Sequence, residues 1–354
     1  MERKLIIDGC VIDDTSDCYV IAEIGHNHQG SLETAEELVA QAADCGANAV
    51  KLQKRSNRTL FTREQFNKPY ENRNSFGYTY GEHREFLEFG RDQYLRLLDH
   101  AREKGLALFA TAFDIESADF LAELDMPAYK IASGDVTNTP LLRHVAALGK
   151  PVILSTGGCL LDEVREAYEA MAPLNPNIAI LQCTSGYPSA YEELNLRVIK
   201  TYRDEFPAAV IGLSAHDSGI AMSLVAYVLG ARIIEKHFTL NRAMRGTDHS
   251  FSLEPVGLRK MVRDLRRARV ALGDGSKGVY DSERGPLSKM TKKMVAARPL
   301  PAGHKLQPDD LAAKCVGSVG LQPNRLPDLL GAVLAVPVDE DQPILLEHLK
   351  PRQR

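Results

Sequence analysis

Two hydrophobic patterns alternate along the chain. Short, nearly continuous apolar runs occupy residues 19–24, 49–53, 107–112, 128–132, 152–155, 178–182, 210–214 and 232–237. Runs of this length, apolar on both faces, predict strands of a parallel sheet. Each precedes a stretch with apolar residues three and four apart, which predicts a helix. The first helix is announced by Ser31 as N-cap before LETAEELVAQAADCG and closes at Gly46; the last runs from Pro255 through GLRKMVRDLRRARVALG to Gly273. Eight such units predict a closed (β/α)8 TIM barrel. An open doubly wound sheet would often carry a GxGxxG turn, and none is present. The polar-apolar start reads as a capping hairpin.

Two segments break the rhythm. Residues 55–90, rich in Asn, Arg, Tyr and Gly and containing YENRNSFGYTYGEHREFLEFG, form a connection of a length that is usually functional. Because it follows the second strand, it is expected over the barrel mouth. After the last helix, GDGSKGVYDSERGPLSK reads as a tether. The expected domains are a barrel at 1–280, a linker at 281–292 and a small strand-rich domain at 293–354, consistent with a 354-residue chain that is 44% hydrophobic.

A net charge of -4 and a pI near 6.2 argue against nucleic acid or an anionic membrane as the main partner, so any anionic ligand needs local basic groups. No apolar run approaches the ~20 residues of a membrane span, and MERKLIIDGC is too short and polar for a signal peptide; a cytoplasmic enzyme is expected. The six cysteines lack CxxC spacing and read as reduced and structural. RKMVRDLRRAR around Arg266, with Asp264 interleaved, reads as a solvated helix face.

Barrel chemistry belongs to the carboxyl ends of strands, and the two-residue period tells which side chains share a face there. Glu23 aligns with Gly25, Lys51 with Gln53, Ser214 with His216, and Glu235 with His237, while Lys236 points away and reads as structural. His216 and His237 end adjacent strands about 5 Å apart. They could share one divalent ion with positions open for water and substrate oxygens, a Lewis acid suited to an aldehyde. The alternative is two satisfied polar groups at strand ends. Lys51, Lys130, Ser133, Ser155 and Ser214, with Gly134, Gly157 and Gly158 admitting backbone N–H groups, read as a phosphate site. Each lysine could instead pair with a carboxylate such as Glu23 or Asp135, or form a Schiff base with a carbonyl substrate. His26 and His28 read as orienting neighbours. Tyr80, Glu82 and His83 read either as contacts to a polyhydroxylated substrate or as an ordinary solvated loop.

The motifs AEIGHNHQG, NAVKLQ, YKIASGD, ILSTGG, LQCTSGYP, IGLSAHD, IEKHFTL and GTDHSFSLEP, in this order over essentially the whole chain, resemble the sialic acid synthase family. The resemblance implies a (β/α)8 barrel followed by an antifreeze-like SAF domain of the β-clip type. It implies a transferase that condenses phosphoenolpyruvate with N-acetylmannosamine, its 6-phosphate or a related sugar. His216 and His237 would hold Mn²⁺ or Mg²⁺, and Lys51, Lys130, Ser133, Ser155 and Ser214 would bind phosphoenolpyruvate. Glu23, Gln53, Tyr187 and Asp248 match positions near the sugar or the reacting carbons. It further implies a domain-swapped homodimer. NSFGYTYGEHREFLEFGRDQY looks like the animal branch, which uses a 6-phosphorylated sugar. Where many bacterial members carry a cap-domain arginine, this chain has Lys314, Cys315, Val316 and Gly317, with Arg325 as a substitute. Two rival readings stand beside this one: a Schiff-base aldolase using Lys51 or Lys130 without metal, and a non-catalytic sugar-binding barrel.

Overall fold

The computed structural model describes residues 3–351; the expected outer domain ends, residues 1 and 354, lie outside them. The chain divides into two compact units, Met1–Gly273 and Asp274–Arg354.

The first unit opens with an antiparallel hairpin of β1 (Lys4–Ile7) and β2 (Cys10–Asp13). Asp8 and Gly9 both have positive φ, 47° and 76°, the backbone of a two-residue primed turn. Leu5, Ile7 and Ile12 are fully buried, and Arg3 donates Nε to the Ala209 carbonyl at 2.7 Å, immediately before a barrel strand. The hairpin therefore plugs the amino-terminal end of the barrel.

The barrel comprises β3 (Tyr19–Gly25), β4 (Ala49–Lys54), β5 (Ala107–Ala112), β6 (Tyr129–Ile131), β7 (Val152–Ser155), β8 (Ile178–Cys183), β9 (Val210–Ala215) and β10 (Ile233–His237). All neighbours are parallel and β10 closes on β3. These are the eight expected runs, with ends shifted by a residue or so. Ser31 caps the helix Leu32–Asp44 by accepting from the Thr34 N–H at 3.1 Å, and the helix lays Ala35, Leu38, Val39 and Ala42 on the sheet. Each fully buried Leu or Val there contributes roughly 1.5–3 kcal/mol.

The long connection after β4 is built of short helices, Asn57–Leu60, Arg63–Asn67 and Tyr80–Phe86. The last is fixed by a capping box between Thr79 and Glu82. The stretch expected as a linker, 281–292, is helical over Asp281–Met290. The Glu283 carboxylate accepts from the Tyr280 N–H at 2.7 Å, a cap strong enough to start a helix where glycine and serine suggested coil.

The second unit pairs β11 (Lys292–Ala296) with β12 (Leu311–Cys315). It has its own core, in which Met294, Leu300, Leu306, Leu329, Leu334 and Ile344 are buried. No described helix is long and apolar enough to cross a membrane.

Candidate active site

Paired residues of parallel neighbours share a face, so the barrel register assembles the site. His237 pairs with Glu23 and Glu23 with Lys51; Glu235 pairs with Ser214, and Thr111 with Lys130. These side chains open into one cavity of about 700 Å³, whose lining includes Glu23, Lys51, Gln53, Lys130, Ser133, Ser155, Tyr187, Ser214, His216, His237 and Asp248, all expected from the sequence, whereas Gly158 and Tyr80 do not line it.

Its floor is a buried set of opposite charges. Lys51 Nζ lies 2.7 Å from Glu23 Oε2 and 3.9 Å from Glu235 Oε1, and donates to Thr111 Oγ1 at 2.7 Å. The pairing of Lys51 with Glu23 is thus present, whereas Lys130 Nζ donates to the Ile131 carbonyl at 2.9 Å. Gln53 Nε2 donates to Glu23 Oε1 at 2.8 Å, and Ser214 Oγ to Glu235 Oε1 at 3.0 Å. Burial pushes the Glu23 carboxyl up, more than the Lys51 ammonium pulls it down. Burial also opposes the charge of Glu235, but Lys130 and Lys51 outweigh it and hold that carboxyl below the ordinary range. Burial pulls Lys130 down. Two carboxylates driven apart in this way suit opposite proton-handling roles.

Beside the lysines, Ser133 Oγ accepts the Gly157 N–H at 2.8 Å, and the buried Ser155 hydroxyl has no partner among the described residues. A Cβ on Gly157 would come within 2.1 Å of Ser185 Oγ and 3.1 Å of Ser133 Oγ. A side chain there would force the Ser185 hydroxyl to turn away and crowd Ser133 and Cys183.

The His216 and His237 rings lie 5.4 Å apart, centroid to centroid. His216 Nδ1 faces the Thr184 carbonyl at 2.9 Å, which places its proton there and leaves Nε2 as an acceptor. Burial disfavours the His216 cation, yet Cys183, with Sγ 3.9 Å from Nδ1, and the Thr184 carbonyl raise its pKa above the ordinary value. His237 is held neutral, burial pulling it down to about 3; its Nδ1 is buried, unpartnered and 3.8 Å from Asp248 Oδ2. No group of three or more His, Cys, Asp or Glu among the described residues is arranged to hold a metal. The two imidazoles fit a divalent ion completed by water and substrate oxygens, not a closed structural site. Tyr187, 57% exposed, stands with its ring 4.3 Å from that of His216.

The surroundings correct several expectations. All six cysteines are free, as expected, but Cys183 lines the cavity beside His216, and Cys10 and Cys315 are exposed rather than buried. Glu82 is engaged by the N–H groups of Tyr78 and Thr79, and His83 Nδ1 by that of Phe76. They hold the loop together, and it is Arg84 that lines the cavity. His28 Nδ1 accepts from the Gly30 N–H at 3.1 Å and its ring stacks on Phe89, while His26 lies between Arg55 and Arg84. Lys236 ion-pairs with Asp217 at 2.9 Å, away from the cavity. In the second unit Arg325 ion-pairs with Asp328. Glu235, Thr111, Arg55 and Arg84 are among the cavity residues that the sequence alone did not single out. For Glu235 the signal was at hand, since it shares its strand face with His237.

A closed barrel with basic, carboxylate and imidazole groups converging at the carboxyl ends of its strands defines a barrel enzyme. Residues 38–277 match the NeuB family and residues 294–350 the SAF domain. The chain belongs to the NeuB family, the sialic acid synthases that its motifs resemble. It is 41% identical over 330 residues to the human N-acetylneuraminate-9-phosphate synthase, covering 93% of this chain and 92% of that one. To the N,N'-diacetyllegionaminic acid synthase of Legionella pneumophila it is 34% identical over 339 residues, 94% of this chain and 95% of that one. The crystal structure of N-acetylneuraminic acid (sialic acid) synthetase from Leptospira borgpetersenii in complex with citrate superposes with a TM-score of 0.71 at 32% identity, covering 81% of this chain and 96% of that one.

Proposed function

We propose that this chain condenses phosphoenolpyruvate with an N-acylated amino sugar or its phosphate, forming a carbon–carbon bond and releasing phosphate. The observation that carries the reading is the joint presence, in one cavity, of two buried lysines beside Ser133, Ser155 and Ser214 and of the His216–His237 pair. The first set suits the phosphate and carboxylate of phosphoenolpyruvate. The second suits a divalent ion, Mn²⁺ or Mg²⁺, which when bound would supply Lewis acidity to the open-chain sugar aldehyde.

Lys51, Lys130 and the serine hydroxyls hold phosphoenolpyruvate so that its carbon 3 faces the aldehyde carbon. As that bond forms, positive charge develops at carbon 2, where water adds; carbon–oxygen cleavage then expels phosphate. Glu23, whose carboxyl burial keeps protonatable, takes and returns protons in that region, while Glu235, held ionised by the lysines, balances their charge. Gln53, Tyr187 and Asp248 orient the sugar.

A phosphate-release assay with phosphoenolpyruvate and a panel of amino sugars tests the reading. Turnover requiring both substrates is expected. Folded, metal-supplemented protein with no turnover on any of them would leave the sugar-binding barrel as the better account. Borohydride trapping of pyruvate on Lys51 or Lys130 would favour the aldolase.

A further inference from the structure

Two arginines in the cavity wall have no part in the chemistry just described. Arg55 follows β4, two residues beyond Gln53 and four beyond Lys51, so its backbone stands about 13 Å outward from that of Lys51. Its guanidinium lies 3.6 Å over the Phe113 ring and donates to Gln53 Oε1 at 2.7 Å. Arg84 comes from the helix Tyr80–Phe86 and donates Nε and Nη2 to the Tyr80 hydroxyl at 3.0 and 2.9 Å.

His26 is wedged between them, Nε2 3.2 Å from Arg55 Nη1 and Nδ1 3.2 Å from Arg84 Nη1. A neutral imidazole has a single acceptor nitrogen. It can satisfy one guanidinium, and at the other an N–H meets an N–H. No nearby carboxylate pairs directly with either guanidinium: Glu88 meets Lys54 through Oε2 at 3.2 Å and leaves its buried Oε1 3.9 Å from His26 Nε2, and Asp248 is engaged with the Thr247 hydroxyl at 2.7 Å and with His237. Neither arginine has an ion-pair partner among the described residues. Arg55 is only 8% exposed, and a buried cation without a counter-ion is costly. Burial, with Arg84 adding repulsion, pulls Arg55 down to about 10, which still leaves it charged at neutral pH.

We propose that Arg55 and Arg84 form a second anion subsite, which takes the phosphate monoester at the far end of a phosphorylated amino sugar. The inference rests on the reading of the reaction above and narrows its acceptor. An extended six-carbon sugar with a terminal phosphate reaches on the order of 8–10 Å from aldehyde carbon to phosphorus, given bonds of about 1.5 Å. With its aldehyde beside phosphoenolpyruvate on the lysine floor, its phosphate arrives at the arginine rim. The planar guanidiniums suit a phosphate dianion, and the bound anion replaces the missing carboxylate partners.

The test compares N-acetylmannosamine 6-phosphate with N-acetylmannosamine, both by calorimetric binding and by kcat/KM with phosphoenolpyruvate, in wild type, Arg84→Gln, Arg84→Lys and Arg55→Gln. The wild type should prefer the phosphorylated sugar in both measurements. Arg84→Gln should lower that preference about tenfold or more, and Arg84→Lys should recover part of it. Circular dichroism and melting identify any variant that fails to fold, the remaining variants then carrying the comparison. A wild type that binds both sugars equally, or a preference unchanged in folded Arg84→Gln and Arg55→Gln, overturns the subsite whatever the turnover. An arginine-dependent binding preference without turnover on either sugar instead upholds the subsite and overturns the proposed reaction.

Discussion

The Lys51 ammonium and the Glu23 carboxylate face each other across neighbouring strands at 2.7 Å, both almost wholly removed from water. Neither charge has solvent to fall back on, so each leans on the other and on the few polar groups around them, Thr111 and Glu235 beside Lys51 and Gln53 beside Glu23.

Lys51→Ala should therefore destabilise the fold by on the order of 3–5 kcal/mol, the cost of breaking a buried pair from one side. Lys51→Ala and Lys130→Ala should both raise KM for phosphoenolpyruvate far more than KM for the sugar. Urea unfolding and steady-state kinetics check the two effects; a change confined to the sugar would misplace the phosphate site.

Gly157→Ala should cut kcat/KM by about tenfold or more, because its Cβ would sit 2.1 Å from Ser185 Oγ and displace the wall that Ser133 braces. Kinetics beside a thermal melt separate this local effect from unfolding. Wild-type turnover would remove that backbone from the anion site.

Chelation should abolish synthesis and Mn²⁺ restore it, and His216→Ala or His237→Ala should do the same as chelation without lowering the melting temperature by more than a few degrees. Full activity in excess chelator would refute the metal role.

Acidification should weaken the fold through His28, which burial pulls down to about 4. Between the ordinary value of 6.5 and about 4 the unfolded chain binds a proton that the folded chain refuses, so stability falls as pH drops through that window. The full contribution is about 3 kcal/mol. His28→Leu should flatten the pH dependence of the denaturation midpoint between pH 6.5 and 4; an unchanged slope would show that other groups set it.

The swapped homodimer implied by the family resemblance makes a complementation prediction. A chain ending at residue 280 and full-length His237→Ala should each be inactive, and mixed dimers should regain activity. Mixed dimers without it would count against capping by the partner.

The barrel was legible because strands such as Val152–Ser155 and Val210–Ala215 are buried on both faces and so carry unbroken apolar runs. Glu23, Lys51 and His237 were legible for a related reason: a two-residue period at a strand end fixes direction. Glu235 has the same direction as His237, but its meaning lies in its nearness to Lys51 and Lys130, which depends on barrel closure. Arg84 was hidden more deeply. It sits some thirty residues beyond β4 on a helix whose docking follows from tertiary packing, and no local pattern distinguishes it from Glu82 or His83 on the same turn.

The plug formed by Leu5, Ile7 and Ile12 closes the amino-terminal end of the barrel, so the site faces outward at the carboxyl ends of the strands. With the two anion sites arranged as proposed, a guest on the Lys51–Lys130 floor would have to come in before one resting against Arg55 and Arg84. On the reaction proposed above, the small three-carbon donor would then enter first and the longer acceptor would close the passage behind it, a queue that initial-rate kinetics would register as ordered addition.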